Sequence, residues 1–143
     1  MTATVRLEWD MGHRLPNHDG ACRNFHGHRY VAEVSFRAPV KTDMGAPDEG
    51  MVMDFKHIKD IAKPIIESSF DHKMMLCQRD PWASEDFPGL VVVPFVPTAE
   101  CIAAHLLSLL IQEDIARNGK RHVFSVKLWE TPTSYVEATW NGE

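Results

Sequence analysis

Between Thr2 and His13 apolar and polar residues alternate loosely, the two-residue period of a strand with one covered face. A polar stretch with Pro16, Asn17, Asp19 and Gly20 interrupts it and predicts a loop that carries Cys22. Alternation resumes from His26 to Arg37, with Tyr30, Ala32, Val34 and Phe36 on one face and Arg29, Val31, Glu33 and Ser35 on the other. This predicts a second strand, antiparallel to the first. Pro39, Gly45, Pro47 and Gly50 make residues 38–50 a turn-rich connection.

The period then changes. After Asp54, a good N-cap, Phe55, Ile58, Ile61, Ala62 and Ile65 recur at helical spacing, and Pro64 is expected to bend or end the first section. Residues 70–97, broken by Pro81, Pro88, Gly89, Pro94 and Pro97, read as irregular except for a short strand at Leu90-Val91-Val92-Val93. A second helix starts at Thr98, has Glu100 in its first turn, and carries a stripe of Ile102, His105, Leu106, Leu109 and Leu110. Asn118-Gly119 ends it. Two closing strands, His122 to Glu130 and Ser134 to Trp140, flank Thr131-Pro132-Thr133. The order ββααββ predicts an α+β fold, an antiparallel sheet with two helices on one face. Four strands leave two free edges, which must be paired or covered, so association with sister subunits is expected.

Length and charge narrow the function classes. At 143 residues the chain reads as a single domain, 1–143, with 44% hydrophobic and 24% charged residues. A net charge of −5 argues against a general nucleic-acid or membrane-surface binder. No apolar run approaches the roughly 20 residues that span a bilayer. The charged stretch Met1 to Glu8 lacks the apolar core of a signal peptide, which makes a cytoplasmic address the expectation. Cys22, Cys77 and Cys101 form no CxxC and read as thiols.

Three histidines carry the chemistry. Strand residues i and i+2 share a face, so His26 and His28 can grip one ion, and His13 on the preceding strand can complete a three-nitrogen set. Zinc uses three imidazoles in catalytic sites that keep a fourth position open. Cys22 reads equally as a fourth ligand, a buried apolar residue, or a base and nucleophile, its thiolate favoured by Arg23 and a metal. Asp71-His72 suits either an acid/base pair or a loop pair at a helix end. Glu130 reads either as a solvated strand end or as a carboxylate accepting two hydrogen bonds from a guanidine-like edge. Helix capping accounts for Thr98 and Glu100, and a substrate role for them would be additional. His57, His105 and His122 read as structural.

Taken together, these motifs resemble the 6-pyruvoyl-tetrahydropterin synthase / 6-carboxy-tetrahydropterin synthase family over nearly the whole chain. Gly12-His13-Arg14-Leu15 resembles the family's first zinc histidine, and Cys22-x-x-x-His26-Gly27-His28-x-Tyr30 its catalytic cysteine and zinc pair. Gly50 to Phe55 resembles the start of its first helix, and Phe70-Asp71-His72-Lys73 its Leu-Asp-His segment. Pro97-Thr98-Ala99-Glu100 resembles the start of its second helix, and Leu128-Trp129-Glu130-Thr131 its pterin-anchoring Glu-Thr.

The resemblance implies the tunnelling fold, whose subunits join into a barrel, as a homo-oligomer and specifically a hexamer built as a dimer of trimers. It implies Zn²⁺ on His13, His26 and His28, and 7,8-dihydroneopterin triphosphate as substrate. Cys22 becomes the base, with Asp71, His72 and Glu130 as the acid/base and anchoring network and Thr98 and Glu100 as further substrate contacts. Three residues separate Cys22 from His26, the spacing of the carboxy-forming branch on the route to queuosine and other 7-deazaguanines; the pyruvoyl-forming branch usually has a longer spacer. Cys77 and Cys101 stand where asparagine is common, and Gly12 where alanine is common. Arg14, Arg23, Lys56 and Lys73 are candidate cations for the triphosphate. The edge of the strand ending at Glu130 is expected to pair with another subunit, which would place the pocket at an interface.

Overall fold

The computed structural model describes residues 1–141. Strands β1 (Thr2–His13) and β2 (His26–Arg37) pair antiparallel along their whole length, from Thr2 opposite Arg37 to His13 opposite His26. The alternation in their sequences is the alternation of burial. Val5, Leu7, Trp9 and Met11 on β1, with Tyr30, Ala32, Val34 and Phe36 on β2, form one continuous apolar face.

Both predicted helices cover that face. Helix α1 (Phe55–Ser69) is capped by the Asp54 carboxylate, which accepts from the Lys56 amide at 2.9 Å. It runs through Pro64 rather than ending there. Proline removes only the bond to the Asp60 carbonyl, and both residues lie on the exposed side, where water replaces the lost donor. Helix α2 (Ala99–Asn118) is capped by Thr98, whose hydroxyl accepts from the Cys101 amide at 3.2 Å. It closes on Gly119 in the left-handed region, at φ 77°. Ile58, Ile61, Ala62 and Ile66 from α1 meet Ile102, Ala103, Leu106 and Leu110 from α2 over the sheet.

Beyond the four strands of the ββααββ frame the sheet has two more, the short strand that the sequence predicts at Leu90–Val93 and one it does not predict, at Lys73–Cys77. Strand β3 (Lys73–Cys77) and strand β4 (Leu90–Val93) join β5 (Val123–Thr131) and β6 (Ser134–Thr139) in one six-stranded sheet of order β4-β3-β1-β2-β5-β6. The ββααββ frame and its two helices on one face stand, but the sheet is mixed, because β3 runs parallel to β1 and β4 parallel to β3. The segment 70–97 thus contributes an edge as well as loops. β5 lies between β2 and β6, so the strand that carries Glu130 has no free edge; the free edges belong to β4 and β6. No helix among the described residues is long and apolar enough to cross a membrane.

Candidate metal centre

The apolar face of β1 and β2 ends in three imidazoles. His13 and His26 are cross-strand partners, and His28 stands one strand period beyond His26, opposite Met11. One ligand atom from each falls within 4.8 Å of the others, the single such group of three among the described residues. Their rings meet edge to face or tilted, at centroid separations of 4.6 to 5.1 Å.

Hydrogen bonding decides which nitrogen is free. His13 Nδ1 lies 2.8 Å from the Pro97 carbonyl, and His26 Nδ1 lies 2.7 Å from the Asn24 carbonyl. A carbonyl only accepts, so each Nδ1 carries the proton and each Nε2 presents a lone pair. The Tyr30 hydroxyl, 3.4 Å from His13 Nδ1, adds a second contact to the same edge. His13 Nε2 and His28 Nε2 are buried without a hydrogen bond, although buried polar atoms are nearly always paired. Burial holds both rings below the ordinary histidine pKa, which favours the neutral form a metal needs; for each, the Glu130 carboxylate works the other way. Burial first, and then Glu130, push the Tyr30 phenol upward, so it remains a donor. Three imidazoles whose ligand atoms converge within 4.8 Å, two of them with an unpaired buried Nε2 and two with Nδ1 anchored on a carbonyl, fit a divalent metal of zinc's preferences.

Cys22 lies half-buried in a 3-10 turn, Ala21–Arg23, outside the histidine group. Its carbonyl accepts from the Leu15 amide at 2.9 Å, closing the loop that joins the two histidine-bearing strands. Glu130, on β5, brings Oε1 to 3.7 Å from His28 Nε2. β5 pairs with β2 only from Val31 onward, so the first residues of β2 project past its end and leave a notch. A cavity of about 670 Å³ fills this notch, lined by Gly27, His28, Glu33, Trp129, Glu130 and Thr131 among others. The Trp129 indole N–H donates to Glu33 at 2.8 Å, which fixes that wall.

Asp71 and His72 are in contact as anticipated, with His72 Nδ1 2.8 Å from Asp71 Oδ1. The pair follows the end of α1 and leads into β3, where the His72 amide donates to the Asp10 carbonyl at 2.8 Å. His72 has φ 60°, the left-handed region, which turns the chain sharply there. His72, Lys73, Gly27 and His28 border a second cavity of about 450 Å³. Thr98 caps α2 next to Pro97, whose carbonyl holds His13, and Glu100 is exposed in the first turn. Of the candidate cations, Arg14 is engaged by Asp80 at 2.9 Å and Lys56 by Asp60 at 3.1 Å, whereas Lys73 borders the second cavity. Sequence reasoning missed Pro97 and Asp80, since neither a carbonyl partner nor a distant carboxylate leaves a local signature.

The profile of 6-pyruvoyl tetrahydropterin synthase matches residues 2–141. The 6-carboxy-5,6,7,8-tetrahydropterin synthase of Rickettsia conorii is 39% identical over 139 residues, covering 94% of this chain and 96% of its own. The protein of the same name from Rickettsia bellii is 36% identical over the same shares. The 6-pyruvoyl tetrahydropterin synthase of Plasmodium falciparum shares the fold, with a TM-score of 0.72 over 96% of each chain at 22% identity.

Proposed function

The chain belongs to the 6-pyruvoyl tetrahydropterin synthase family, and on that premise we propose that it is a zinc-dependent lyase, a 6-carboxy-5,6,7,8-tetrahydropterin synthase. With one water it converts 7,8-dihydroneopterin triphosphate to 6-carboxytetrahydropterin, releasing acetaldehyde and triphosphate, in 7-deazaguanine biosynthesis. The observation that carries the reading is the convergence of three histidine ligand atoms within 4.8 Å of one another, beside a notch walled by Glu130. The three-residue spacing from Cys22 to His26 and the names of the curated relatives favour the carboxy-forming over the pyruvoyl-forming reaction.

His13, His26 and His28 would hold the metal, and zinc when bound supplies Lewis acidity toward the hydroxyl oxygens of the substrate's side chain. The chain's own groups do the rest. Cys22, as thiolate, takes the proton from the side-chain carbon next to those oxygens. Asp71 fixes the imidazole of His72 through Nδ1, leaving its other nitrogen to pass protons to and from the reacting oxygens. Glu130 accepts two hydrogen bonds from the amino-pyrimidine edge of the pterin, which orients the ring across the notch. Thr98 and Glu100, next to the carbonyl that sets the His13 tautomer, are further substrate contacts. The active form is a homo-oligomer, a hexamer, whose contacts use the free edges of β4 and β6.

Incubating the purified protein with 7,8-dihydroneopterin triphosphate and weighing the products tests the proposal. Acetaldehyde with 6-carboxytetrahydropterin is the expected result. A pyruvoyl product would move the chain to the other branch, and recovery of intact substrate would make it a binding protein.

A further inference from the structure

The loop bearing Cys22 is closed by a ring of four side chains outside the metal centre. Arg14 directly follows His13, and Phe25 directly precedes His26. The Arg14 guanidinium lies over the Phe25 ring, 5.6 Å from its centroid. Thus one cation touches the residue that leads into the second ligand strand while standing beside the last residue of the first. Arg14 is held from behind by Asp80, at 2.9 Å in an ion pair whose Nε–H is not aligned on the oxygen. The Asp80 carboxylate is fully covered, and Arg14 is the cation that compensates it.

The ring then closes on itself. The other oxygen of Asp80 accepts from the Trp82 amide at 2.9 Å and starts the 3-10 turn Pro81–Ser84. The Trp82 indole packs edge to face on Phe25, centroids 5.6 Å apart. Phe25 and Trp82 are 44% and 48% exposed, so their contact contributes little to the core, and what it does is local. It ties the segment 14–25 to the turn after β3.

We propose that Asp80 and Arg14, with the Phe25–Trp82 pair, are positioning residues that strap the Cys22 loop and set the angle at which His26 meets the metal. Lysine cannot substitute for Arg14, because a compact ammonium lacks the plane that lies over Phe25 while reaching Asp80. This assignment rests on the metal and base roles given above, and its readouts are chosen to be independent of turnover.

Zinc affinity by chelator competition and the alkylation rate of Cys22 by iodoacetamide, followed by peptide mass at fixed pH, form the test. Asp80→Asn keeps the turn's acceptor but removes the charge. It should weaken zinc binding about tenfold, the low end for groups behind a ligand. Cys22 should alkylate several-fold faster, and hydrogen exchange should rise across residues 14–25. Phe25→Leu, at an exposed position, should produce the same loosening without burying a charge, and it serves if Asp80→Asn does not fold. Trp82→Phe, which keeps a ring on Phe25, should restore wild-type values. Wild-type zinc affinity and alkylation in Phe25→Leu would overturn the strap. A wild-type protein inert toward the pterin substrate would instead sink the catalytic reading and leave these ratios to be judged alone.

Discussion

Replacing Asp114 with asparagine tests whether the far end of the sheet is held as the structure indicates. Asp114 is a completely buried carboxylate in α2. One oxygen accepts from the His122 and Val123 amides, the latter at 2.8 Å, and the other from Asn118 Nδ2 at 2.8 Å and His122 Nδ1 at 3.1 Å. These bonds pin the first residue of β5 to the end of α2. Burial alone pushes the carboxyl pKa up, but the donors from Asn118, His122 and Val123 outweigh it, and the net shift is downward. Asparagine has the same shape but must point an NH₂ at one pair of donors. Two bonds to a charged acceptor are lost, each worth roughly 1.5–3 kcal/mol, and buried donors are orphaned, so a loss of about 4 kcal/mol follows. At roughly 3 °C per kcal/mol for a chain of this size, the melting temperature should fall by about 12 °C.

Circular dichroism melts at pH 7 with a chelator present, so that metal linkage does not interfere, supply the measurement. A folded pKa below the unfolded value of about 3.9 means the charge stabilises the fold above that pH and ceases to as pH falls through the folded value. The gap in urea midpoint between wild type and variant should therefore stay constant from pH 7 to pH 5 and narrow below about pH 4. A variant melting within about 2 °C of wild type at pH 7 would refute the reasoning, since the pattern of donors would then contribute almost nothing.

The remaining expectations concern the site. The wild-type protein should hold about one zinc per subunit, and His26→Ala should lose most of it while keeping its fold, checked by metal analysis; full retention would remove the histidine site. Cys22→Ala should keep zinc but lose turnover by about 10²–10⁴-fold, whereas loss of zinc in that variant would make the sulfur a ligand. Glu130→Gln should bind pterin much more weakly in titration calorimetry with the oligomer unchanged in light scattering, because an NH₂ then faces a donor; equal affinity would put the anchor elsewhere.

What could be read in the chain was what depends on neighbours in sequence. Asp54, Thr98 and Gly119 mark helix ends because a cap acts within three residues, and all three cap as expected. His26 and His28 share a face because a strand repeats every two residues, and pairing with β1 then places His13 beside them. β3 escaped because Lys73-Met74-Met75-Leu76-Cys77 has neither alternation nor β-branched residues; its place comes from the parallel partners β1 and β4. The interior position of β5 was hidden because strand order, unlike strand existence, has no local code. His57 and His122 pair with Asn118 and Asp114, partners that left no local signature, since a buried aspartate inside an apolar helix makes sense only when the β5 amides arrive.

The bond from His13 to the Pro97 carbonyl also bears on the order in which the site matures. The three donors fall between positions 13 and 28 and sit on one hairpin, a local structure of the kind that forms in microseconds. Yet the group that assigns the His13 proton lies 84 residues further along the chain. A nascent or truncated chain that has made only the hairpin therefore presents three imidazoles, with the His13 tautomer still free. The finished chain presents a set in which that choice has been made by the docking of the segment before α2. Any cation bound before that docking would therefore meet a His13 ring whose donor nitrogen is not yet assigned, and completion of the fold is what fixes it.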